Sequence, residues 1–196
     1  MKEFSLNGTV RTELGKKATR ELRKQDIIPC NIYGVETENG APKAVAFTVA
    51  MADVRNLIYT PNVYIVNLNL SGKEVKAIIK EIQFHPTTDK VLHIDFYQIT
   101  EDKDIVIGVP VKLNGLAEGV RAGGRLNLSI RSIKVKAKYT AIPDVLEIDV
   151  TPLQIGKSIK VGSLSFEGLQ FATSPEVVVC SIKATRKSIQ AAQQQQ

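Results

Sequence analysis

Two groups of residues in this chain could do chemistry. The first is a run of cations near its start: Arg11, Lys16, Lys17, Arg20, Arg23 and Lys24. Lysine and arginine at this density bind anions, and a phosphate backbone is the most extended anion a protein meets. The second is a polar alternation, His93, Asp95 and Tyr97, interleaved with Leu92, Ile94 and Phe96. Residues two apart on a strand share a face, so His93 could be a general base oriented by Asp95, or both could join His85 around a metal. Beside RNA the same face offers mixed donors and acceptors for base edges and 2′-hydroxyls, which a purely cationic patch lacks. A catalytic metal site typically wants three protein ligands and a supporting shell, and no nucleophile stands nearby, so catalysis is not expected. Each group also has a plain alternative. Glu13, Glu21 and Asp26 partly neutralise the cations, and a polar alternation also describes the wet side of an outer strand.

The elements that must hold these residues follow from periodicity. Phe4 to Val10 alternates weakly and predicts a first strand, with Arg11 where it meets the loop carrying Gly15. Gly15 permits a tight entry, and Lys17 to Gln25 predicts a short helix. On it Arg20 lies three residues from Arg23 and four from Lys16 and Lys24, so these cations share neighbouring faces. Ala18, Leu22 and Ile27 give only a thin apolar edge. Ile27 to Tyr33 predicts a strand, which Pro29 assigns to an edge or a bulge because it cannot donate to a ladder. Asn39-Gly40 signals a turn; Val45, Phe47 and Val49 alternate as a strand; Met51, Val54 and Ile58 recur at helical spacing. Tyr64 to Leu70 and Val75 to Gln83 predict a hairpin around Ser71-Gly72-Lys73, and His85 to Asp89 a loop. Val91 to Ile99 is the most legible strand, with Leu92, Ile94 and Phe96 inward and His93, Asp95 and Tyr97 outward. About six strands with two or three short helices suggest a small closed barrel.

Thr100 to Asp104 is a charged break. Beyond it Ile105 to Leu113, interrupted by Pro110, then Ile133 to Tyr139, Leu146 to Val150, Ile159 to Val161 and Val177 to Ile182 predict further strands and no long helix. The fold class expected is mainly β: an N-terminal barrel over residues 1–97, a linker at 98–104, an all-β domain at 105–183 and a disordered Gln-rich tail at 184–196. Lys134, Lys136 and Lys138 look like a phosphate stripe, although three lysines opposite three core residues are also what a solvated strand shows.

The formal charge of +6 over 196 residues divides into +2 for residues 1–97 and +4 for the remainder, which suits a polyanionic partner without demanding one. No apolar run approaches the ~20 residues that span a bilayer. No apolar signal segment opens the chain either, so a cytosolic protein without membrane contact is expected. Cys30 and Cys180 sit far apart in apolar contexts and read as reduced core residues.

One longer pattern joins these pieces. Gly15-Lys-Lys-Ala-Thr-Arg-Glu-Leu-Arg-Lys24, Ile28-Pro-Cys-Asn-Ile-Tyr-Gly34, His85-Pro86 and His93-Ile-Asp95-Phe96 resemble, in order and spacing, the ribosomal protein twenty-five family of the bacterial large subunit, in its longer two-domain form, the Ctc or general-stress form. The resemblance covers essentially the whole chain, with specific motifs in residues 10–34 and 83–97 and diffuse ones after residue 100. It implies a non-enzymatic ribosomal protein whose barrel binds a non-standard paired loop of 5S rRNA. There Arg11, Lys16, Lys17, Arg20 and Arg23 would anchor phosphates. Tyr33, His93 and Asp95 would orient and read, and Lys80, Gln83 and His85 would add second-rank contacts. The large subunit would be the wider partner, through neighbouring rRNA or ribosomal proteins touched by the C-terminal domain. No cofactor, metal or small-molecule substrate is implied. A free-standing stress protein related to the anticodon-binding β-barrels of tRNA synthetases is the alternative. Two positions depart from the family pattern: Lys17 stands where many relatives carry glycine, and Glu21 where a further arginine is common.

Overall fold

The computed structural model describes residues 1–36, 42–100 and 103–186. The chain divides into two compact units, one ending at Lys103 and one beginning at Asp104. The expected Asn39-Gly40 turn, residues 101–102 of the charged break, and 187–196 of the Gln-rich tail lie outside the described residues.

The first unit runs β1 (Lys2–Val10), α1 (Lys16–Lys24), β2 (Ile27–Glu36), β3 (Pro42–Ala50), α2 (Met51–Ile58), β4 (Tyr64–Leu70), β5 (Lys73–Phe84) and β6 (Val91–Gln98). The strands close into a barrel in the order β1-β3-β2-β6-β5-β4, and β4 meets β1 in parallel register. Closure leaves no free edge to template another chain. Alternation fills the inside with Leu6, Cys30, Ile32, Phe47, Val66, Leu68, Ile94 and Phe96, and α2 adds Val54 and Leu57. The Phe47 and Phe96 rings meet with centroids 5.5 Å apart. Cys30 is buried and free, as is Cys180, and burial pushes the Cys30 thiol up to about 12, so it is protonated and inert.

In this unit two expectations need correction. Pro29 does not mark an edge: β2 is paired with β3 from Ile27 onward and with β6 from Cys30 onward. Pro29 stands one residue before the β6 ladder opens, so its missing N–H leaves no gap there. The irregularity in β2 comes later, between Ile32 and Val35, where Gly34 takes a φ of 101°. That left-handed conformation is nearly free for glycine and costly for other residues. Leu92 does not face the core either. Gln83 pairs with His93 but Phe84 pairs with Val91, so Leu92 is the extra residue of a β-bulge. Val91 takes the core position instead, at 6 % exposure.

The second unit comprises β7 (Ile105–Asn114), α3 (Glu118–Arg121), β8 (Arg125–Leu128), β9 (Ser132–Ala137), β10 (Leu146–Asp149), β11 (Ser158–Lys160), β12 (Gln170–Phe171) and β13 (Val178–Lys183). Four strands form one sheet in the order β10-β7-β9-β12, and three form another, β11-β13-β8. Pro110 does not interrupt β7. That strand pairs with β9 as far as Pro110 and with β10 from Val111, so the proline falls where one ladder hands over to the other. Ala117, Val150, Leu153, Cys180 and Ile182 form one of its apolar clusters. The whole is mainly β, a barrel with two short helices followed by a sheet-rich unit, as the alternation predicts.

Candidate nucleic-acid interface

Strand register, not sequence proximity, assembles the polar face. The Arg11 N–H donates to the Ala46 carbonyl at 3.0 Å, one step past the β1–β3 pairs. Ala46 pairs with Asn31, Asn31 with Asp95, and Asp95 with Glu81. A single row thus crosses five strands on the barrel's outer surface: Arg11, Ala46, Asn31, Asp95, Glu81. Ala46, Asn31 and Asp95 face out because their chain neighbours face in; Cys30 and Ile32, for example, are 0 % exposed on either side of Asn31. The adjacent rows carry the Gln83–His93 pair and the Tyr33–Tyr97 pair. The two tyrosine rings meet edge to face with centroids 5.8 Å apart.

The charges on this face are interlocked. His93 Nδ1 lies 3.4 Å from Asp95 Oδ1, with both side chains largely covered. Burial lowers the His93 pKa from its usual value; Asp95 opposes that shift, Arg11 and Arg23 reinforce it, and Glu81 opposes it least. Burial chiefly, then Asp95, Glu81 and Tyr97, raises the pKa of Tyr33, which therefore keeps its proton and acts as a donor at neutral pH. Arg11 is half-buried, and its Nε and Nη1 are closed off from solvent with no hydrogen-bond partner.

α1 borders this face. Gly15, at a φ of 115°, turns the chain into the helix, and the Thr19 hydroxyl donates back to the Gly15 carbonyl at 2.9 Å. No α1 residue is fully buried. Ala18 and Leu22 form its thin apolar edge, in a crevice shared with Thr9, Arg11 and Thr48. Arg23 is half-buried and donates from Nε to the Leu92 carbonyl at 3.0 Å, the group that the β6 bulge turns outward. Lys16, Lys17 and Arg20 are exposed. Arg23 and Lys24 occupy the helix's last turn, where cations also meet the negative end of its dipole.

The structure therefore gathers Arg11, Arg23, Tyr33, Gln83, His93 and Asp95 on or beside one face. Lys80 joins them through a second bulge: Ile79 pairs with Phe96 and Glu81 with Asp95, leaving Lys80 exposed as the extra residue. His85 is employed differently. Its Nδ1 accepts from the backbone N–H groups of Thr87 at 3.4 Å and Thr88 at 3.3 Å, so it ties its own turn together. It lines an apolar cleft of about 360 Å³ with Ile27, Met51, Tyr59 and Lys90. Asn31 and Glu81 are the site residues that periodicity misses. Asn31 could have been found by alternation, since it is the polar residue between two core positions; Glu81 could not, because the bulge at Lys80 displaces it. Among the described residues no group of three His, Cys, Asp or Glu side chains could hold a metal, and no helix is long and apolar enough to cross a membrane.

Comparison with known proteins gives this arrangement its context. The chain is 58 % identical over 187 residues to the large ribosomal subunit protein bL25 of Phocaeicola vulgatus, covering 95 % of this chain and 94 % of that one. It is 51 % identical to the bL25 protein of Porphyromonas gingivalis over the full length of both chains, and 50 % identical to that of Bacteroides thetaiotaomicron over 191 residues, 95 % of this chain and 94 % of that one. A barrel with this cationic and polar face, among such relatives, is a structural protein of the large ribosomal subunit, not an enzyme, and works in the cytoplasmic ribosome. Residues 6–96 match the Ribosomal L25p family and residues 104–186 match the C-terminal domain of ribosomal protein TL5. The chain belongs to the L25p family.

Proposed function

We propose that the first unit binds 5S rRNA, with α1 on phosphates and the outer face of β2, β6 and β5 reading an irregular groove. The observation that supports this most is the row joining Arg11 to Asp95. A guanidinium with two hidden, unpaired nitrogens is costly, as is any desolvated donor without an acceptor. An RNA phosphate or base edge that the Arg11 side chain swings out to meet offsets that cost. A regular A-form major groove is too deep and narrow for side chains, so a widened, non-standard loop is where Asn31, His93 and Asp95 can meet base edges. The choice of 5S rRNA comes from the sequence resemblance; the chemistry of contact comes from the face. The second unit is proposed to reach neighbouring rRNA or ribosomal proteins.

Arg11→Ala provides the test. Affinity for 5S rRNA, measured by titration at fixed salt, is expected to fall at least tenfold, about 1.4 kcal/mol, while circular dichroism stays unchanged. A folded variant that binds 5S rRNA as well as the parent removes the row from the interface.

A further inference from the structure

The outer face of the β10-β7-β9-β12 sheet carries a lysine row that the reading above does not use. β9 turns Ile133, Val135 and Ala137 into the core, so Lys134 and Lys136, with Lys138 just past the strand, project from the opposite face. Successive members stand two residues apart, about 6.7 Å along an extended strand, a step comparable to that between neighbouring phosphates of an RNA chain. On a solvated sheet surface, lysines are commonly offset by carboxylates nearby. The same unit does this elsewhere: Lys112 Nζ lies 3.7 Å from Glu147, and Lys160 Nζ 2.7 Å from Glu176. Along β9 the ladder partners of Lys134 and Lys136 are neutral instead. Lys134 pairs with Gly108, and Lys136 stands between Val106 and Gln170. Lys136 Nζ lies 4.0 Å from the Asp104 carboxylate, at the limit of ion-pair range. The surface beside the row is low: a Cβ added to Gly108 would meet only Ser132, at 3.7 Å, so another backbone can approach closely.

We propose that Lys134, Lys136 and Lys138 form a second RNA contact, along which the phosphate backbone of a ribosomal RNA strand lies. This deepens the role proposed above for the second unit. Lysine is a compact point charge on a flexible stem, so the contact positions the unit and reads no sequence. An acidic protein is the competing occupant. The even spacing of three flexible point charges favours phosphates over a protein surface.

The test measures acylation of these three lysines by a small amine-reactive reagent. The full-length protein is labelled free, with protein-free RNA from large subunits, and within native large subunits. Protection of roughly fivefold or more is expected in both RNA-containing samples, as for side chains engaged on phosphates. Protection in the intact particle only would assign the row to a protein neighbour, and absence of protection in either would return it to solvent; each outcome overturns the proposal. The variant Lys134→Gln/Lys136→Gln/Lys138→Gln adds a second measurement. Its binding to large-subunit RNA is expected to lose roughly two or three counterions of salt dependence, and an unchanged slope overturns the proposal. Affinity for isolated 5S rRNA is titrated separately, so failure of the first unit's proposed role is read independently.

Discussion

At the residue scale, His93 shows how one environment sets both protonation and chemistry. Its burial lowers the pKa below the ordinary 6.5, so at neutral pH the ring carries one N–H and one lone pair, a donor and an acceptor at once. The sign for stability follows. As pH falls through about 6.5 the unfolded chain takes up a proton that folded His93 still refuses, so stability present above that pH is lost below it. Urea midpoints are expected to fall more steeply between about pH 7 and pH 5 for the parent than for His93→Gln. Parallel declines would show that another group carries the acid sensitivity. Asp95, Glu81, Arg11 and Arg23 all act on the ring, so a His93 titration read by NMR is expected to move when any of them is neutralised.

At the scale of elements, the proposed interface divides its work between charge on α1 and shape on β6. Lys16 and Arg20 are exposed on α1, so in the proposed interface they would act through charge alone. Replacing either with Ala is expected to weaken every RNA alike and to flatten the salt dependence by roughly one counterion. Arg23→Ala is expected to do this and also to lower stability, because the bulge carbonyl of Leu92 loses its donor. Equal slopes for all three variants and the parent would return α1 to a solvated face. Much of this geometry was legible beforehand. The β6 alternation places His93 and Asp95 opposite Ile94 and Phe96, and Gly15 marks where α1 begins. What sequence did not disclose are the places where one strand answers to another. The bulge at Leu92 is fixed by β5, Pro29 is tolerated because the β6 ladder starts at Cys30, and Pro110 sits where β7 changes partners. Pairing across the barrel is non-local, so no local period could have joined Arg11 to Asp95.

At the scale of the molecule, the proposed 5S rRNA contacts all fall within residues 1–103, whose barrel closes on itself around its own core. A fragment ending at Lys103 is therefore expected to fold alone and to keep 5S rRNA affinity within about tenfold of the full chain, roughly 1.4 kcal/mol. A folded fragment that loses more would place part of the site in the second unit. The central claim is that the polar face reads the RNA and does not merely tolerate it, and Asp95→Asn tests that most directly. A carboxylate beside a phosphate backbone is unfavourable unless it accepts hydrogen bonds. If only charge mattered, neutralising it would leave binding unchanged or strengthen it. If Asp95 accepts hydrogen bonds from a base amino group or a 2′-hydroxyl, the change forfeits a charged bond of about 1.5–3 kcal/mol. Titration of the folded variant against 5S rRNA and an unrelated duplex is expected to show at least a tenfold loss for the first and none for the second. Undiminished affinity for 5S rRNA would contradict the account.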